Sequence, residues 1–474
     1  MLYAVILSFI IGYIAIVFEH PLKLDKTVPA LIMAALCWAF ISLGHLELYD
    51  HHGLPADDTN ECHNTASILV HHIGKTAEIL IFLIGAMTIV ELIDLHGGFS
   101  AITDKIKTTK KSTMLWLITP LAFFLSATLD NLACTIVLVS LLRRLVPEKT
   151  ERIYFVSLAV IAANAGGAWS PIGDVTTTML WIGNRISTGG LVLALLIPSI
   201  VCAIIPTILM SRMPYMKGNI TLPDDYELQQ ANKKKKGKGA NVMLFVGLAG
   251  LVFVPIFKTI THLPPYVGMM LSLGVVWFVS ERIHPDEEFE DKHHYSAHNA
   301  LSRIEMSSIL FFLGILMAVA ALESLNVLVA LAAAMDSIFP SGTQYMPGVN
   351  GLDLVVLLLG IGSALIDNVP LVAAAMGMYS MDTYVTDSKL WHFLAYSAGT
   401  GGSMLIIGSA AGVAAMGMEK IDFMWYLKKI AWIAFVGFLA GAVVFLLLHP
   451  LVEPLLVDPN AVHLPSGGGG GGNH

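Results

Sequence analysis

The sequence predicts an all-α polytopic membrane protein made of two inverted repeats, each holding a re-entrant helical hairpin and a broken transmembrane helix. Three observations carry this reading. First, 55% of residues are hydrophobic and only 13% charged, with a mean hydropathy of +0.72, more apolar surface than a globular domain can bury. Second, the chain matches itself. SATLDN at 126–131 returns as SALIDN at 363–368, EILIFLIGAM at 78–87 as SILFFLGILM at 308–317, and AGGAWSPIGD at 165–174 as TGGSMLIIGS at 400–409, displaced by 237, 230 and 235 residues. Collinear self-similarity between two membrane halves points to a secondary transporter with its site where the halves meet. Third, Lys and Arg are gathered into a few loops, which fixes sidedness.

Crossing helices are expected near 2–18, 27–44, 76–95, 152–182, 189–210, 241–257, 264–281, 306–326, 390–417 and 430–448, from roughly 20 apolar residues per span. The N-terminal stretch lacks a basic region and a small-residue cleavage site, so it reads as a first span rather than a signal peptide. The apolar regions 113–142 and 351–380 carry the Asp-Asn pairs near their middles and read as hairpins. Lys105, Lys107, Lys110 and Lys111 precede the first, and Arg143, Arg144, Lys149 and Arg152 follow it. Both flanks then face the cytoplasm, as a hairpin requires. The same topology puts Lys23, Lys26, the KKKKGK run, the 282–305 loop, Lys420, Lys428 and Lys429 inside, and leaves Lys75, Arg185, Lys258 and Lys389 outside. Five crossings separate the starts of the two repeats, so the halves are inverted and the hairpin tips meet near the midplane.

The expected organisation is therefore N-terminal helices and a His-rich external loop at 1–75, a first repeat core at 76–210, and a basic linker at 211–240. Connecting helices and a cytoplasmic loop follow at 241–305, then a second repeat core at 306–448 and a flexible external tail at 449–474. The net charge of −8 comes without a basic face, so nucleic acid is not an expected partner. Three of the four cysteines, Cys37, Cys134 and Cys202, fall in apolar segments and Cys62 in a polar loop, so no disulfide framework is implied. His45, His51, His52, Cys62, His63, His71 and His72 on the external side, and His293, His294 and His298 on the other, match no metal-site spacing.

Chemistry is expected at the breaks. A charge in hydrocarbon is costly and so reads as functional. Asp130 and Asp367, with Asn131 and Asn368, would lie beside unpaired backbone carbonyls, and Ser126, Thr128 and Ser363 add hydroxyls: an oxygen cage suited to a hard cation. Asp and Asn also cap helices, which is the plainer role. In 162–181, Gly166, Gly167, Pro171 and Gly173 interrupt a span, and Asn164, Asp174, Thr176 and Thr177 offer oxygens there. The second half repeats the glycines but has Ser409 in place of Asp174. Three buried carboxylates, Asp130, Asp174 and Asp367, could not all stay ionised without cations, so protons and metal ions would compete for them. Glu78, with His71 and His72 one to two turns before it, suggests a pH-sensing role, while Glu91, Asp94 and Glu323 read as solvated helix ends.

On AANAGGAWSPIGDVTTTMLWIGN together with SATLDN and SALIDN, the chain resembles the NhaD-type sodium/proton antiporters of the ion transporter superfamily, over essentially 76–448. The resemblance implies a fold shared with the divalent anion/sodium symporters and arsenite pumps, commonly a homodimer in the bacterial cytoplasmic (inner) membrane, with no cofactor. It implies exchange of external protons for internal sodium or lithium. Its functional polar residues would fall on Glu78, Ser126, Asp130, Asn131, Asn164, Asp174, Thr176, Thr177, Ser363, Asp367, Asn368, Thr400 and Ser403. Dicarboxylate carriers of the superfamily have neutral hairpin tips where this chain has Asp-Asn, and no Arg or Lys lies within either hairpin or broken helix to hold an anion. Transport of arsenite or a dicarboxylate is the rival reading. An intramembrane aspartyl protease would also need two buried aspartates, but Pro171 precedes Ile172-Gly173-Asp174 where a Gly-x-Gly-Asp motif would be needed.

Overall fold

A computed structural model describes residues 1–18, 22–49, 65–99, 106, 108–220, 239–283, 296–346, 348–365 and 367–456. His51, His52, Cys62, His63, Lys105, Lys107, the KKKKGK run, His293, His294 and the glycine-rich tail lie outside the described residues. The N-terminal pair α1 (Leu2–Val17) and α2 (Thr27–Leu43) pack on one another, and α3 (Thr65–Leu95) opens the first repeat. Then come α4 (Lys111–Leu129) and α5 (Asn131–Leu145), separated only by Asp130, and α6 (Lys149–Ala168) and α7 (Val175–Ile182), separated by the Pro171 segment. α8 (Thr188–Ser211), α9 (Ala240–Thr261), α10 (Pro265–Ile283) and the short α11 (Ala297–Arg303) lead to the second half.

There α12 (Met306–Ser324) and α13 (Val327–Ile338) are followed by a small antiparallel pair, β1 (Gln344–Met346) with β2 (Val349–Asn350). α14 (Gly351–Gly362) and α15 (Asn368–Met378) flank the second Asp-Asn break, α16 (Lys389–Gly401) and α17 (Ala410–Glu419) flank the second glycine-rich break, and α18 (Phe423–Lys429) and α19 (Ala431–Leu456) close the chain. Seven helices among the described residues are long and apolar enough to cross a membrane: α3, α4, α8, α9, α10, α12 and α19. At 16 and 17 residues, α1 and α2 are also apolar. Six of the seven, with α1, α2 and the two broken helices, correspond to the ten expected crossings, and the seventh, α4, is the first arm of the expected hairpin.

Besides the short α11 and α18 and the β1–β2 pair, which have no counterpart among the expected spans, two helices differ from expectation. α3 begins at Thr65, eleven residues before the anticipated start, so His71 and His72 belong to a helix and not to a loop. The stretch TASILVHHIGK has no Gly or Pro before Gly74 and continues the apolar run outward. α13 was not anticipated; it is a run of good helix formers, VLVALAAAMDSI, between two longer apolar regions.

The two halves repeat in contact as well as in sequence. α4 packs on α6, as α14 packs on α16. Across the halves, α5 packs on α17 and α15 on α7. Within the first hairpin the chain folds back, since Cys134 Sγ on α5 donates to the Ala122 carbonyl on α4 at 3.5 Å. Glycine permits these approaches. A Cβ on Gly166 would lie 2.8 Å from Phe123 C, and one on the equivalent Gly401 would lie 2.9 Å from Gly360 C, both against backbone. A Cβ on Gly173 would meet Ser126 O at 3.0 Å, and one on Gly408 would meet Ser363 O at 2.7 Å. Each broken helix is therefore seated on the tip of its own hairpin, through the same positions in both halves.

Candidate functional site

The hairpin tips are set by helix termini. Where a helix begins, its first amides lack partners. Asp130 Oδ1 accepts from Ala133 N at 2.9 Å and Asp367 Oδ1 from Val369 N at 3.3 Å, so both aspartates cap the helix that follows. The two breaks are not alike in backbone. Asp130 sits at φ 73°, ψ 160°, a region that glycine enters freely and other residues enter at a cost of about 1–3 kcal/mol, whereas Asp367 sits at φ −46°.

Matching hydroxyls stitch hairpin to broken helix. Ser126 Oγ donates to the Ala163 carbonyl at 2.7 Å, and Ser363 Oγ to the Ala398 carbonyl at 2.8 Å. Thr400 Oγ1 donates to Tyr396 O and Ser403 Oγ to Thr400 O, each at 2.6 Å. These four buried hydroxyls spend their protons on backbone carbonyls. Thr177 does likewise, donating to Ser170 O at 2.8 Å.

What converges is a cluster around Asp174. This residue caps α7, accepting on Oδ1 from Thr176 N at 2.9 Å and Thr176 Oγ1 at 2.8 Å. Its Oδ2 accepts from Asn131 Nδ2 of the first break at 2.6 Å, and from Asn368 Nδ2 of the second at the long distance of 3.4 Å. Asn131 Nδ2 also reaches Asn164 Oδ1 at 3.1 Å, and Asn164 Nδ2 donates to Ser409 Oγ at 2.9 Å. Ser409 caps α17 through Gly412 N at 3.1 Å, the role Asp174 plays for α7. Asn131, Asn164, Asp174, Asn368 and Ser409 are all buried. Among the described residues, no Lys or Arg hydrogen-bonds to this cluster.

The asparagines of the repeated pairs thus meet at Asp174, and the aspartates face elsewhere. Asp130 lines a cavity of about 90 Å³ together with Glu91, Asp94, Arg303 and Glu305. Glu91 and Asp94 are therefore wall residues of a space leading to a hairpin tip rather than simple helix-end acids. Asp367 Oδ2 pairs with Lys26 Nζ at 2.7 Å. In the sequence Lys26 marks only sidedness; the pairing spans 341 positions and no motif announces it. Glu305 was likewise not singled out, and it lines both this cavity and a second one of about 440 Å³ beside Lys26.

The residues suggested for pH sensing are not brought to Asp174. His72 is buried, and its Nε2 lies 2.9 Å from Ser324 Oγ at the end of α12. His71 is its neighbour, with ring centroids 5.8 Å apart. Glu78 lies two turns further along α3.

A family profile, CitMHS, described as "Citrate transporter", matches residues 13–394. "Sodium/proton antiporter 1" of Arabidopsis thaliana is 45% identical over 448 residues, covering 94% of this chain and 73% of that protein. "Sodium/proton antiporter 2" of the same plant is 42% identical, covering 94% and 99%. "Na(+)/H(+) antiporter NhaD" of Vibrio cholerae is 29% identical over 481 residues, covering 95% and 92%. Among solved structures, the Alcanivorax borkumensis YdaH transporter superposes with a TM-score of 0.55 at 12% identity, over 91% of this chain and 99% of that one, which is a likeness of fold.

Proposed function

The chain belongs to the citrate transporter family, is homologous to the NhaD-type and plant sodium/proton antiporters, and is a multi-pass membrane transporter; from that premise we propose that it exports Na+, and Li+ by the same route, in exchange for H+. The observation that supports this most is Asp174, a buried carboxylate to which an asparagine from each hairpin break donates. Protonated, Asp174 is neutral and can remain buried. Ionised, it needs a positive charge beside it. Half-turns of the Asn131 and Asn368 amides would exchange their donors for oxygens, giving a sodium or lithium ion one carboxylate and two neutral ligands. The N-termini of α5, α7 and α15 lie at the same place, and their positive dipole ends help to hold the carboxylate ionised while the metal ion is bound.

In this reading Asp130 and Asp367 are the acids through which ions reach and leave Asp174. Ser126, Ser363, Thr400 and Ser403 hold the breaks in position, with oxygen lone pairs still available for an ion, and Thr176, Thr177 and Asn164 shape the pocket. Alternating exposure of the site to the two sides then gives antiport, because the site leaves one side with a metal ion and returns with a proton. The two halves are inverted in the membrane, and two copies form a homodimer in lipid. The membrane is one that holds a proton gradient, the bacterial cytoplasmic membrane being the expectation from the resemblance; relatives named as sodium/proton antiporters occur in a plant as well as in bacteria.

The family description favours a second reading, transport of a tricarboxylate anion. Citrate would meet Asp130, Asp174 and Asp367 at the breaks, where Lys26 is already neutralised by Asp367 and Arg303 shares its cavity with Glu91, Asp94, Asp130 and Glu305. Reconstituted protein decides between them. Sodium or lithium added outside proton-loaded vesicles should alkalinise the lumen across a range of pH, with and without an imposed potential, and citrate should not. Citrate-driven flux without a sodium response would replace the proposal.

A further inference from the structure

Lys26 ends the loop between α1 and α2, yet its Nζ lies 2.7 Å from Asp367 Oδ2 at the second hairpin tip and 4.4 Å from the centre of the Phe311 ring on α12. The side chains are 22% and 12% exposed, so the pair is largely out of solvent and is not a loose surface contact. The ammonium stands where an alkali cation bound to Asp367 would stand. It also lines the open cavity of about 440 Å³ shared with Lys23, Asp25, Thr27, Glu305 and Ser307, so an ion in that cavity lies beside the lysine that covers Asp367.

We propose that Lys26 is a tethered counter-ion that competes with the transported cation for Asp367, vacating the carboxylate when an ion arrives and returning when it leaves. The proposal rests on the cation-exchange reading above. An ammonium and a sodium ion are both monovalent, so the swap keeps the hairpin tip near neutrality throughout and spares Asp367 from standing as a buried, uncompensated charge. The displaced ammonium has somewhere to go, since Asp25 and Glu305 line the same cavity. Asp25 is fit to receive it: hydrogen bonds from the Thr27 side chain and amide hold its carboxyl below the usual range, so it stays ionised. The aromatic face of Phe311 supplies a further cation-binding surface along the way.

The tests are sodium-driven proton flux in proteoliposomes and reactivity of the lysine itself. Lys26→Met keeps the aliphatic stem and removes the competitor; its KM for sodium should fall about fivefold or more, with kcat unchanged or reduced, while Lys26→Arg stays close to wild type. A lysine that only fastens the loop to the hairpin would leave KM unchanged or raise it on removal, and that result overturns the proposal. Should Lys26→Met fail to fold, wild-type protein gives the answer: reductive methylation of Lys26, read by peptide mass spectrometry, should rise when sodium replaces choline, and unchanged labelling refutes displacement. A wild type without sodium/proton exchange would instead defeat the functional reading, a failure distinct from a wild type that exchanges while Lys26→Met keeps its KM.

Discussion

Replacing Gly166 by Ala tests whether the broken helix of the first half is seated directly on the hairpin backbone. The added Cβ would lie 2.8 Å from both C and Cα of Phe123, where carbon atoms prefer about 3.5–4.0 Å, so α4 and α6 must separate by close to 1 Å. The obstacle is main chain within packed helices and cannot be cleared by a rotamer change. Overpacking of this kind costs about 1–3 kcal/mol. Gly401→Ala should cost a similar amount, because its Cβ meets the Gly360 backbone in the same way. Gly274→Ala is the control: nothing lies within 4 Å of that position in the middle of α10, and alanine there should be neutral or stabilising by up to about 1 kcal/mol. Thermal unfolding of the three variants in one detergent, followed by tryptophan fluorescence, gives the comparison. Equal stability of Gly166→Ala and Gly274→Ala would refute the seating of α6 on α4.

Asp130→Gly should relieve the backbone cost at φ 73° while losing only a few tenths of a kcal/mol as a cap, for a net gain of about 1 kcal/mol; Asp367→Gly, at φ −46°, should gain nothing. Unfolding midpoints that rank the two variants the other way would contradict the strain at the first break. Glu419, almost fully buried at the end of α17, receives Arg143 Nε at 2.6 Å and Arg152 Nε at 2.9 Å, and so ties the second broken helix to both ends of the α5–α6 connection. Glu419→Ala leaves two arginines uncompensated and should destabilise by about 3 kcal/mol, the low end for a broken buried pair because Arg143 is half exposed. A change under about 1 kcal/mol in the same unfolding assay would show that this junction is not held by charge.

The parts of the fold that were legible in the sequence share a physical origin. Twenty-residue apolar runs, the glycines at 166, 173, 401 and 408, and the two Asp-Asn pairs are local necessities: a span must be apolar, and helices that touch backbone to backbone need glycine. Asn131, Asn164, Asp174, Thr176 and Asn368 could be anticipated as a group because polar side chains in hydrocarbon must find one another. Which member of each Asp-Asn pair would turn toward Asp174 could not, because that depends on the dihedral angles of a helix break, and the two breaks differ even with nearly identical hexapeptides. Lys26 was missed for another reason. Charge counting in loops assigns a lysine to a side of the membrane but says nothing of a partner 341 residues away. The early start of α3 follows from an apolar run that continues past the length a membrane requires, so span-counting trims it.

In the exchange proposed here a proton and an alkali cation compete for Asp174. Sodium added to weakly buffered, purified protein near neutral pH should release protons in proportion to the sodium bound, with the release lost in Asp174→Asn. Sodium binding by the wild type without proton release, or release that persists in Asp174→Asn, would contradict it.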